Sequence, residues 1–355
     1  MNGSQKRVWE NERRVFPRRA RERIIRSRVF LVFEPVKTLF CPLAPQSATY
    51  IISRYVLFER DAMSASKRAD NKALGFENYN ESSSYRKIKC ENFTVEGFSR
   101  APVMTFWRIP EYKLGFDLGW QPWEFMGVPR WFLSHTHMDH VLALPAYVAR
   151  RRMMQMEPPI IYVPQQKAAD VRQYLAAFCR LEQSILPCEI IGVRPGDEIE
   201  ISRELVASVH KTYHTVPSVG YIIWERRKKL KPEYLELSGP EIRDLSASGV
   251  EISYEVRFPR IAFLGDSSPR GLDENPDMYK ADVLIAEMTH ISTQKNEPRQ
   301  TPGHMRVEDY VERKDKFQNK KIITSHFSIR YAFRDIENSV KHYLPDMLEG
   351  RLVLV

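Results

Sequence analysis

Cysteine is scarce in this 355-residue sequence, which contains four cysteines and no pair with CxxC spacing. The four residues are scattered along the chain, at Cys41, Cys90, Cys179 and Cys188. This distribution argues against a disulfide framework and favours a reducing, cytoplasmic compartment.

Long apolar runs are also missing. The most apolar early segment, RVFLVFEPVKTLFCPLAP at 28–45, is interrupted by Glu34, Pro35 and Lys37. A membrane span needs about 20 predominantly apolar residues, and a signal peptide needs a clean apolar centre followed by small residues at its cleavage site. Neither pattern is present in this segment, so we expect a soluble protein with no membrane partner.

Excess positive charge is confined to the N-terminal part of the sequence. The net charge is +9, yet residues 1–60 carry 13 Lys/Arg against 5 Asp/Glu, and the remaining residues carry 41 against 40. The polar, Ser- and Asn-rich stretch at 63–87 is typical of flexible linkers. We therefore interpret residues 1–85 as a basic, disordered extension and residues 86–355 as the folded domain. A nucleic-acid-binding arm, or a translation start at Met63, are the alternatives for the extension.

The pattern of secondary structure changes at about residue 88. From there, short apolar or alternating segments separated by Gly and Pro predict many strands. Amphipathic segments predict a few helices, at 143–156, 166–183, 306–317 and 333–344. The basic segment RRKKLK at 226–231 is interpreted as a solvated loop, with RNA contact as the alternative. Many strands interleaved with few helices predict a layered α/β protein with large mixed sheets.

Metal-binding side chains are concentrated in HTHMDH, residues 135–140, which follows the apolar strand WFLS. In an extended loop, residues two apart point to the same side. His135 and His137 can therefore bind one metal ion, while Asp139 and His140 turn toward a second. Imidazole and carboxylate groups suit zinc and similar cations. Four such groups in six residues predict a metal site.

The remaining ligands are expected where strands end in polar turns. His214, Asp266 and His326 each follow an alternating or apolar strand. Strand ends converge at one edge of a sheet, which is how layered α/β proteins assemble sites from distant parts of the chain. His210 shares a strand face with His214 but lies in mid-strand, so a packed or surface role is the preferred interpretation. His342 lies in a polar helix and is expected to be solvated.

Four phrases in order carry a resemblance to a known family: HTHMDH, HTVPSVGY, LGDSSP and SHFSIRY, the last three starting at His214, Leu264 and Ser325. Together they resemble the metallo-β-lactamase superfamily and, within it, the ribonuclease Z (tRNA 3′-processing endonuclease) branch. The resemblance covers about residues 90–355. It implies a four-layer αββα sandwich with two mixed sheets and the metal site at one edge. It also implies a phosphodiesterase that cleaves precursor tRNA at its 3′ end.

Carried over to this sequence, the resemblance implies two zinc ions per chain, with manganese or iron as alternatives. One ion would be held by His135, His137 and His214 and the other by Asp139, His140 and His326, with Asp266 bridging the two. A hydroxide shared by the metals would attack phosphorus, and Asp139 could also orient or deprotonate the water. Ser328 and Arg330 match the part of the motif expected near the scissile phosphate, where an arginine fork can hold two oxygens. A surface ion pair is the alternative for Arg330.

The sequence departs from the family pattern at several positions. Ala286 stands where the family has the histidine of a His-Glu-Ala-Thr phrase, a residue expected to protonate the leaving oxygen. Glu287 of that phrase is retained. We expect His304 to act as the general acid with Glu287 orienting it, and His290 or metal-assisted departure are the alternatives. Met138 replaces the usual glycine of the metal loop. No Gly/Pro-rich arm of the kind that clasps tRNA is found between residues 145 and 213.

Two further functions stay open on the sequence alone. A hydrolase of the same fold acting on a small phosphodiester, ester or lactone is favoured by the missing arm and the near-neutral domain. A metal-bound module without turnover is conceivable because of Ala286. A homodimer is left open beside a monomer. Trp120 and Trp123 of LGWQPWEF are interpreted as part of a packed loop near the site, with base stacking as the alternative.

Overall fold

The computed structural model describes residues 85–291 and 302–355. The predicted N-terminal extension lies, up to residue 84, outside the described residues. Within the described ranges, no helix is long and apolar enough to cross a membrane.

The first sheet has eight strands. Seven follow the order β1 to β7, antiparallel from β1 to β4 and parallel from β4 to β7, and a short late strand, β14, adds to β2 in parallel. Their bounds are β1 Arg86–Lys89, β2 Thr94–Ala101, β3 Met104–Ile109, β4 Leu114–Leu118, β5 Arg130–Phe132, β6 Ile160–Pro164, β7 Glu189–Val193 and β14 Phe327–Ser328.

The second sheet has seven strands in the order β15-β13-β12-β11-β10-β9-β8. Strands β8 to β11 are antiparallel neighbours, and β11, β12, β13 and β15 are parallel. Both sheets are therefore mixed, as the sequence predicted. The bounds are β8 Glu198–Glu200, β9 Leu205–Lys211, β10 Val219–Leu230, β11 Ser253–Phe263, β12 Val283–Glu287, β13 Lys321–Ser325 and β15 Leu352–Leu354.

Helices lie in the connections between these strands. They are α1 Met138–Val141, α2 Leu144–Met153, α3 Ala168–Leu181, α4 Gly239–Ala247, α5 Arg270–Asp273, α6 Val307–Glu312 and α7 Phe333–Tyr343. Short 3-10 turns occupy Pro110–Tyr112, Trp123–Gly127, Gln165–Lys167, Pro232–Tyr234, Pro276–Lys280 and Lys314–Lys316.

Three buried apolar clusters define four layers. The central cluster joins side chains of both sheets, such as Phe116 of β4 and Phe263 of β11, whose rings stack 4.7 Å apart. A second cluster packs the first sheet against α2 and α3, and a third packs the second sheet against α6 and α7. Because both faces of each sheet are covered, the central strands are apolar on both sides. The predicted αββα sandwich is confirmed.

The prediction of a solvated loop at 226–231 was wrong. Residues 226–230 continue β10 and pair antiparallel with the first half of β11, from Arg226↔Arg257 to Leu230↔Ser253. Two of the basic residues have carboxylate partners, since Arg226 pairs with Glu200 and Arg227 pairs with Glu225. The sequence suggests a loop because a run of basic residues is typical of a solvated segment, whereas here it forms part of a two-stranded antiparallel ribbon.

Candidate metal centre

The seven predicted ligands lie at one edge of the two sheets, five of them in turns that follow strands and two on a short helix. His135 and His137 lie between β5 and α1, and Asp139 and His140 lie on α1 itself. His214, Asp266 and His326 follow β9, β11 and β13. Gly265 precedes Asp266 with φ +66°, and a Cβ there would lie 2.5 Å from the Cβ of Ser134. Only glycine fits this close approach of the two sheets.

The first ligand group consists of three histidines and one aspartate. His137 Nδ1 lies 3.1 Å from His135 Nε2 and 3.0 Å from His214 Nε2. Asp266 Oδ2 lies 3.7 Å from His135 Nε2 and 3.9 Å from His214 Nε2. All four ligand atoms lie within 4.8 Å of one another.

The second group lies directly beside the first. Nε2 of His326 lies 3.3 Å from Nε2 of His140 and 3.4 Å from Oδ2 of Asp139. Asp266 Oδ2 is 3.4 Å from His140 Nε2 and 3.3 Å from His326 Nε2. One carboxylate oxygen of Asp266 therefore faces the ring nitrogens of both groups, which is the geometry that a bridging ligand requires.

Hydrogen bonds behind the ligands fix their ring tautomers. Nδ1 of His140 donates to Oδ2 of Asp117 at 2.7 Å, and Nδ1 of His135 donates to Oγ of Ser134 at 3.0 Å. Ser134 in turn donates from its hydroxyl to Oδ2 of Asp117 and from its backbone N–H to Oδ1, both at 2.7 Å. These partners leave the Nε2 lone pairs of both histidines directed at the centre.

The two histidines that follow strands of the second sheet are oriented in the same way. Nδ1 of His214 donates to the backbone oxygen of Gly303 at 2.9 Å. Nδ1 of His326 donates to Oγ of Thr289 at 2.9 Å, and the Thr289 hydroxyl donates to Glu287 at 2.5 Å. Four of the five histidines among the predicted ligands thus have a defined hydrogen-bond partner on the ring nitrogen that faces away from the centre.

The electrostatics of the buried groups match cation binding. Burial lowers the pKa of His135 well below its ordinary value, and it lowers the pKa of His214 as well, which keeps both imidazoles neutral. Burial would also lower the pKa of His140, but the carboxylates of Asp266 and Asp117 outweigh it and raise that pKa well above the ordinary value. The carboxylates at the centre therefore attract positive charge strongly.

The residues fit the metal pair that the sequence predicted. Ring nitrogens within the two groups lie 3.0–3.3 Å from one another and close to a buried carboxylate. Neutral imidazole with carboxylate is the donor set that zinc accepts, and manganese and iron accept it too. A cation in each group would be coordinated by these ring nitrogens and carboxylate oxygens.

The predicted acid and its orienting residue lie next to the second group. Nδ1 of His304 donates to Oε1 of Glu287 at 2.9 Å, and the His304 ring stacks on that of His326 at 5.6 Å. Burial would lower the pKa of His304, but the Glu287 carboxylate raises it to about 9. The backbone N–H of Ser267 also donates to Glu287, which is buried.

The substitution at Ala286 has no consequence for this acid. Along β12, Glu287 points to the metal centre, whereas Ala286 and Met288 belong to the apolar cluster between the second sheet and its helices. A histidine at 286 would therefore enter the core. His290, the other candidate acid, is buried 6.3 Å from the His304 ring, and its Nε2 has no partner among the described residues.

Among the other residues singled out in the sequence are Ser328, Arg330, His210 and His342. Ser328 is buried on β14, and its hydroxyl accepts the backbone N–H of Arg330 at 3.3 Å; Arg330 itself is exposed. His210 bonds to Ser208 and Asn275 on the second sheet and is not part of either ligand group. His342 lies on α7.

Sequence reasoning missed Asp117 and Ser134. Asp117 is fully buried in β4 and adopts φ 51°, which is uncommon for a residue other than glycine. The available signal was a charged residue at the end of the apolar phrase KLGFD, since a carboxylate rarely enters such a strand without a partner.

Comparison with known proteins supports one family. The chain matches the family model described as Beta-lactamase superfamily domain over residues 131–327. It is 37% identical to tRNase Z TRZ1 of Arabidopsis thaliana over 270 residues, which cover 75% of this chain and 96% of the relative. It is 34% identical to tRNase Z TRZ2, chloroplastic, of the same organism over 256 residues, covering 71% and 72%.

A third relative is shorter. Nuclear ribonuclease Z of Triticum aestivum is 38% identical over 170 residues, which cover 48% of this chain and 97% of the relative. The family match and these identities agree with the four phrases found in the sequence. The chain therefore belongs to the beta-lactamase superfamily and, within it, to the ribonuclease Z (tRNase Z) family.

Proposed function

We propose that this chain is a zinc-dependent endoribonuclease that removes 3′ extensions from precursor tRNA. The observation that carries the proposal is the pair of ligand groups that share Oδ2 of Asp266, with the oriented His304 beside them. The names of the relatives, tRNase Z and ribonuclease Z, support RNA as the substrate.

The metal pair would be held by the seven ligands already described. His135, His137 and His214 would form one site, Asp139, His140 and His326 the other, and Asp266 would bridge them. When bound, metal ions at these residues would lower the pKa of a water molecule and neutralise charge on the phosphate oxygens.

The chain's own residues would supply orientation and protons. Asp139 can accept a hydrogen bond from the attacking water and so fix its approach to phosphorus. His304, kept protonated by Glu287, would donate its Nε2 proton to the leaving 3′ oxygen. Arg330, on the exposed turn after Ser328, would bind two oxygens of a substrate phosphate with its guanidinium fork.

The proposal also assigns a role to each of the two regions of the chain. We assign residues 86–355 to the hydrolase domain and residues 1–85 to a basic extension that contributes to RNA affinity. We also propose a cytoplasmic location, on the grounds of the scattered cysteines. Two of the relatives are named chloroplastic and nuclear, so imaging of the tagged full-length protein is the test of this location.

Cleavage of defined substrates tests the proposal. Purified full-length protein is incubated with a 3′-extended precursor tRNA, with the mature tRNA, and with a chromogenic phosphodiester, alongside metal analysis. We expect cleavage of the precursor with a 3′ hydroxyl left on the tRNA, and two metal ions per chain. Asp266→Ala should lose both properties, whereas Asp277→Ala, a surface aspartate paired with Lys280, should keep them.

The alternative results distinguish the other functions. Cleavage of the chromogenic phosphodiester but not of the precursor would favour a small-molecule hydrolase. Cleavage of neither substrate by protein with full metal content would favour a non-catalytic metal-bound module.

A further inference from the structure

Several large apolar side chains near the proposed metal ligands are exposed. Met138, between the ligands His137 and Asp139, is 70% exposed, and Trp120 is 50% exposed. Scattered apolar groups on a surface are ordinary, but an exposed aromatic beside a site is a common anchor for a ligand.

Trp120 is held close to the ligand helix by its neighbour Gly119. A Cβ at Gly119 would lie 1.7 Å from the carbonyl oxygen of Asp139, so the two backbones are in direct contact and no other residue fits here. The Gly119 N–H donates to the Thr105 carbonyl at 2.9 Å, and the N–H of Ala143 donates to the Leu118 carbonyl at 3.0 Å. The loop that carries Trp120 is thereby fixed against α1.

The residues after Trp120 fix the loop from the other side. Gln121 is buried, and its amide donates to the Pro122 carbonyl at 2.7 Å. Arg150 of α2 donates to the Gln121 side chain. The indole therefore projects from a rigid backbone, and little conformational entropy is lost when a flat group binds to it.

The reaction proposed above brings nucleobases to this loop. A scissile phosphate among the metal ligands has a nucleoside attached on each side, and their bases must lie on the loops around the centre. Exposed aromatics are the usual platforms for unpaired bases, because every base has a flat π-face. Unpaired bases are what an RNA end offers beyond its paired stem.

We propose that Trp120 stacks on an unpaired base that flanks the scissile phosphate, and so sets where the RNA lies across the metal centre. The inference rests on the proposed function, since it takes RNA as the substrate. It makes Trp120 a specificity-determining residue whose effect depends on the presence of a base and not on the chemistry at phosphorus.

Binding to a substrate that cannot be cleaved tests the inference separately from activity. The probe is a 3′-extended precursor tRNA whose scissile linkage has a methylene in place of the 3′ oxygen. Two matched RNAs each lack the base on one side of that linkage. Full-length, metal-loaded wild type, Trp120→Ala, Trp120→Phe and the control Trp123→Ala are compared by fluorescence anisotropy. Trp123 is 56% exposed on the same loop but is separated from Trp120 by the buried pair Gln121 and Pro122.

The expected result is a base-dependent loss. Trp120→Ala should bind the intact RNA about 10-fold more weakly, which corresponds to about 1.4 kcal/mol. Trp120→Phe should recover part of that affinity, and Trp123→Ala should bind like the wild type. On one of the two abasic RNAs, the difference between the wild type and Trp120→Ala should disappear.

Several results would overturn the inference. One is unchanged binding by Trp120→Ala, and another is an equal loss on intact and abasic RNAs, which would indicate a structural effect. A change in sedimentation of Trp120→Ala with unchanged RNA binding would assign the indole to a protein interface instead. If the wild type shows the base-dependent coupling but cleaves no precursor, stacking holds and the endonuclease proposal fails. If the wild type does not bind the RNA, both fail.

Discussion

One carboxylate, Asp117, orients a histidine in each of the two ligand groups. Its Oδ2 accepts a 2.7 Å hydrogen bond from Nδ1 of His140, and Ser134, which also bonds to it, carries the hydrogen bond from His135. The two ligand groups therefore share an anchor on the side away from the solvent, in addition to Asp266 between them. Partners of this kind set ligand basicity and orientation, and their loss commonly costs 10–100-fold in metal affinity.

The first prediction follows from this shared anchor. Asp117→Asn should weaken binding of both metal ions by about 10–100-fold, because a neutral amide accepts less strongly and cannot serve all three donors. Competition with a chromogenic chelator measures the two affinities. Asp170→Asn on the surface of α3 is the control and should match the wild type. Equal metal affinity in Asp117→Asn and the wild type would show that Asp117 does not tune the ligands.

The second prediction concerns proton donation. His304→Ala should lower the turnover of precursor tRNA by about 10²–10⁴-fold, the usual contribution of a general acid, with both metals retained. The loss should be much smaller for a phosphodiester with a nitrophenolate leaving group, which departs without a proton. His290→Ala is the control and should keep normal turnover. If both substrates lose equally, His304 has a structural role.

Much of this centre was predictable because its chemistry is local in sequence. HTHMDH has its four groups on one loop, and His214, Asp266 and His326 each follow an apolar strand, so the convergence of strand ends was enough to group them. The outer partners were not predictable in this way. Asp117 lies 23 residues from His140, and its role depends on a left-handed backbone and on the register between β4 and β5.

The two faces of β12 separate Ala286 from Glu287. The phrase that contains Ala286 suggested a lost acid, because neighbouring letters in a motif look equally close to the site. In a strand, successive side chains point to opposite faces. Glu287 is therefore at the metal centre while Ala286 packs in the core, a distinction that needs the sheet and its layers to be known.

The third prediction concerns the pH dependence of stability, at a site away from the metals. Burial would raise the pKa of Asp273, but hydrogen bonds from Arg313, Lys316 and Tyr279 lower it to about 2. The unfolded carboxyl has a pKa of about 3.9, so the stabilisation is present above pH 4 and is lost as the pH falls toward 2.

Urea unfolding measures this effect. Asp273→Asn should unfold at a lower urea concentration than the wild type at pH 7, and the difference should shrink steadily below pH 4. Asp277→Asn, whose carboxylate bonds only to Lys280 among the described residues, is the matched control. A difference that stays constant from pH 7 to pH 3 would contradict the assigned charge interactions.

The fourth prediction concerns the N-terminal region. Deleting residues 1–62 should leave metal content and melting temperature unchanged, because every described ligand and core residue lies beyond that segment. The deletion removes most of the net positive charge, so RNA affinity should fall at low salt and its salt dependence should become weaker. Titrations at two salt concentrations measure this. Aggregation or metal loss in the shortened protein would place the domain boundary elsewhere.

The seven proposed ligands come from both sheets of the sandwich. Metal binding would therefore affect the stability of the fold. Under the metal assignment proposed above, a cation held between these ligands would have to be released before the two sheets could separate. Stability then rises with free metal as RT ln(1 + [L]/Kd), about 2.7 kcal/mol at a hundredfold excess over Kd. Under the same assignment, a shortage of metal would lower the stability of the folded chain as well as its activity.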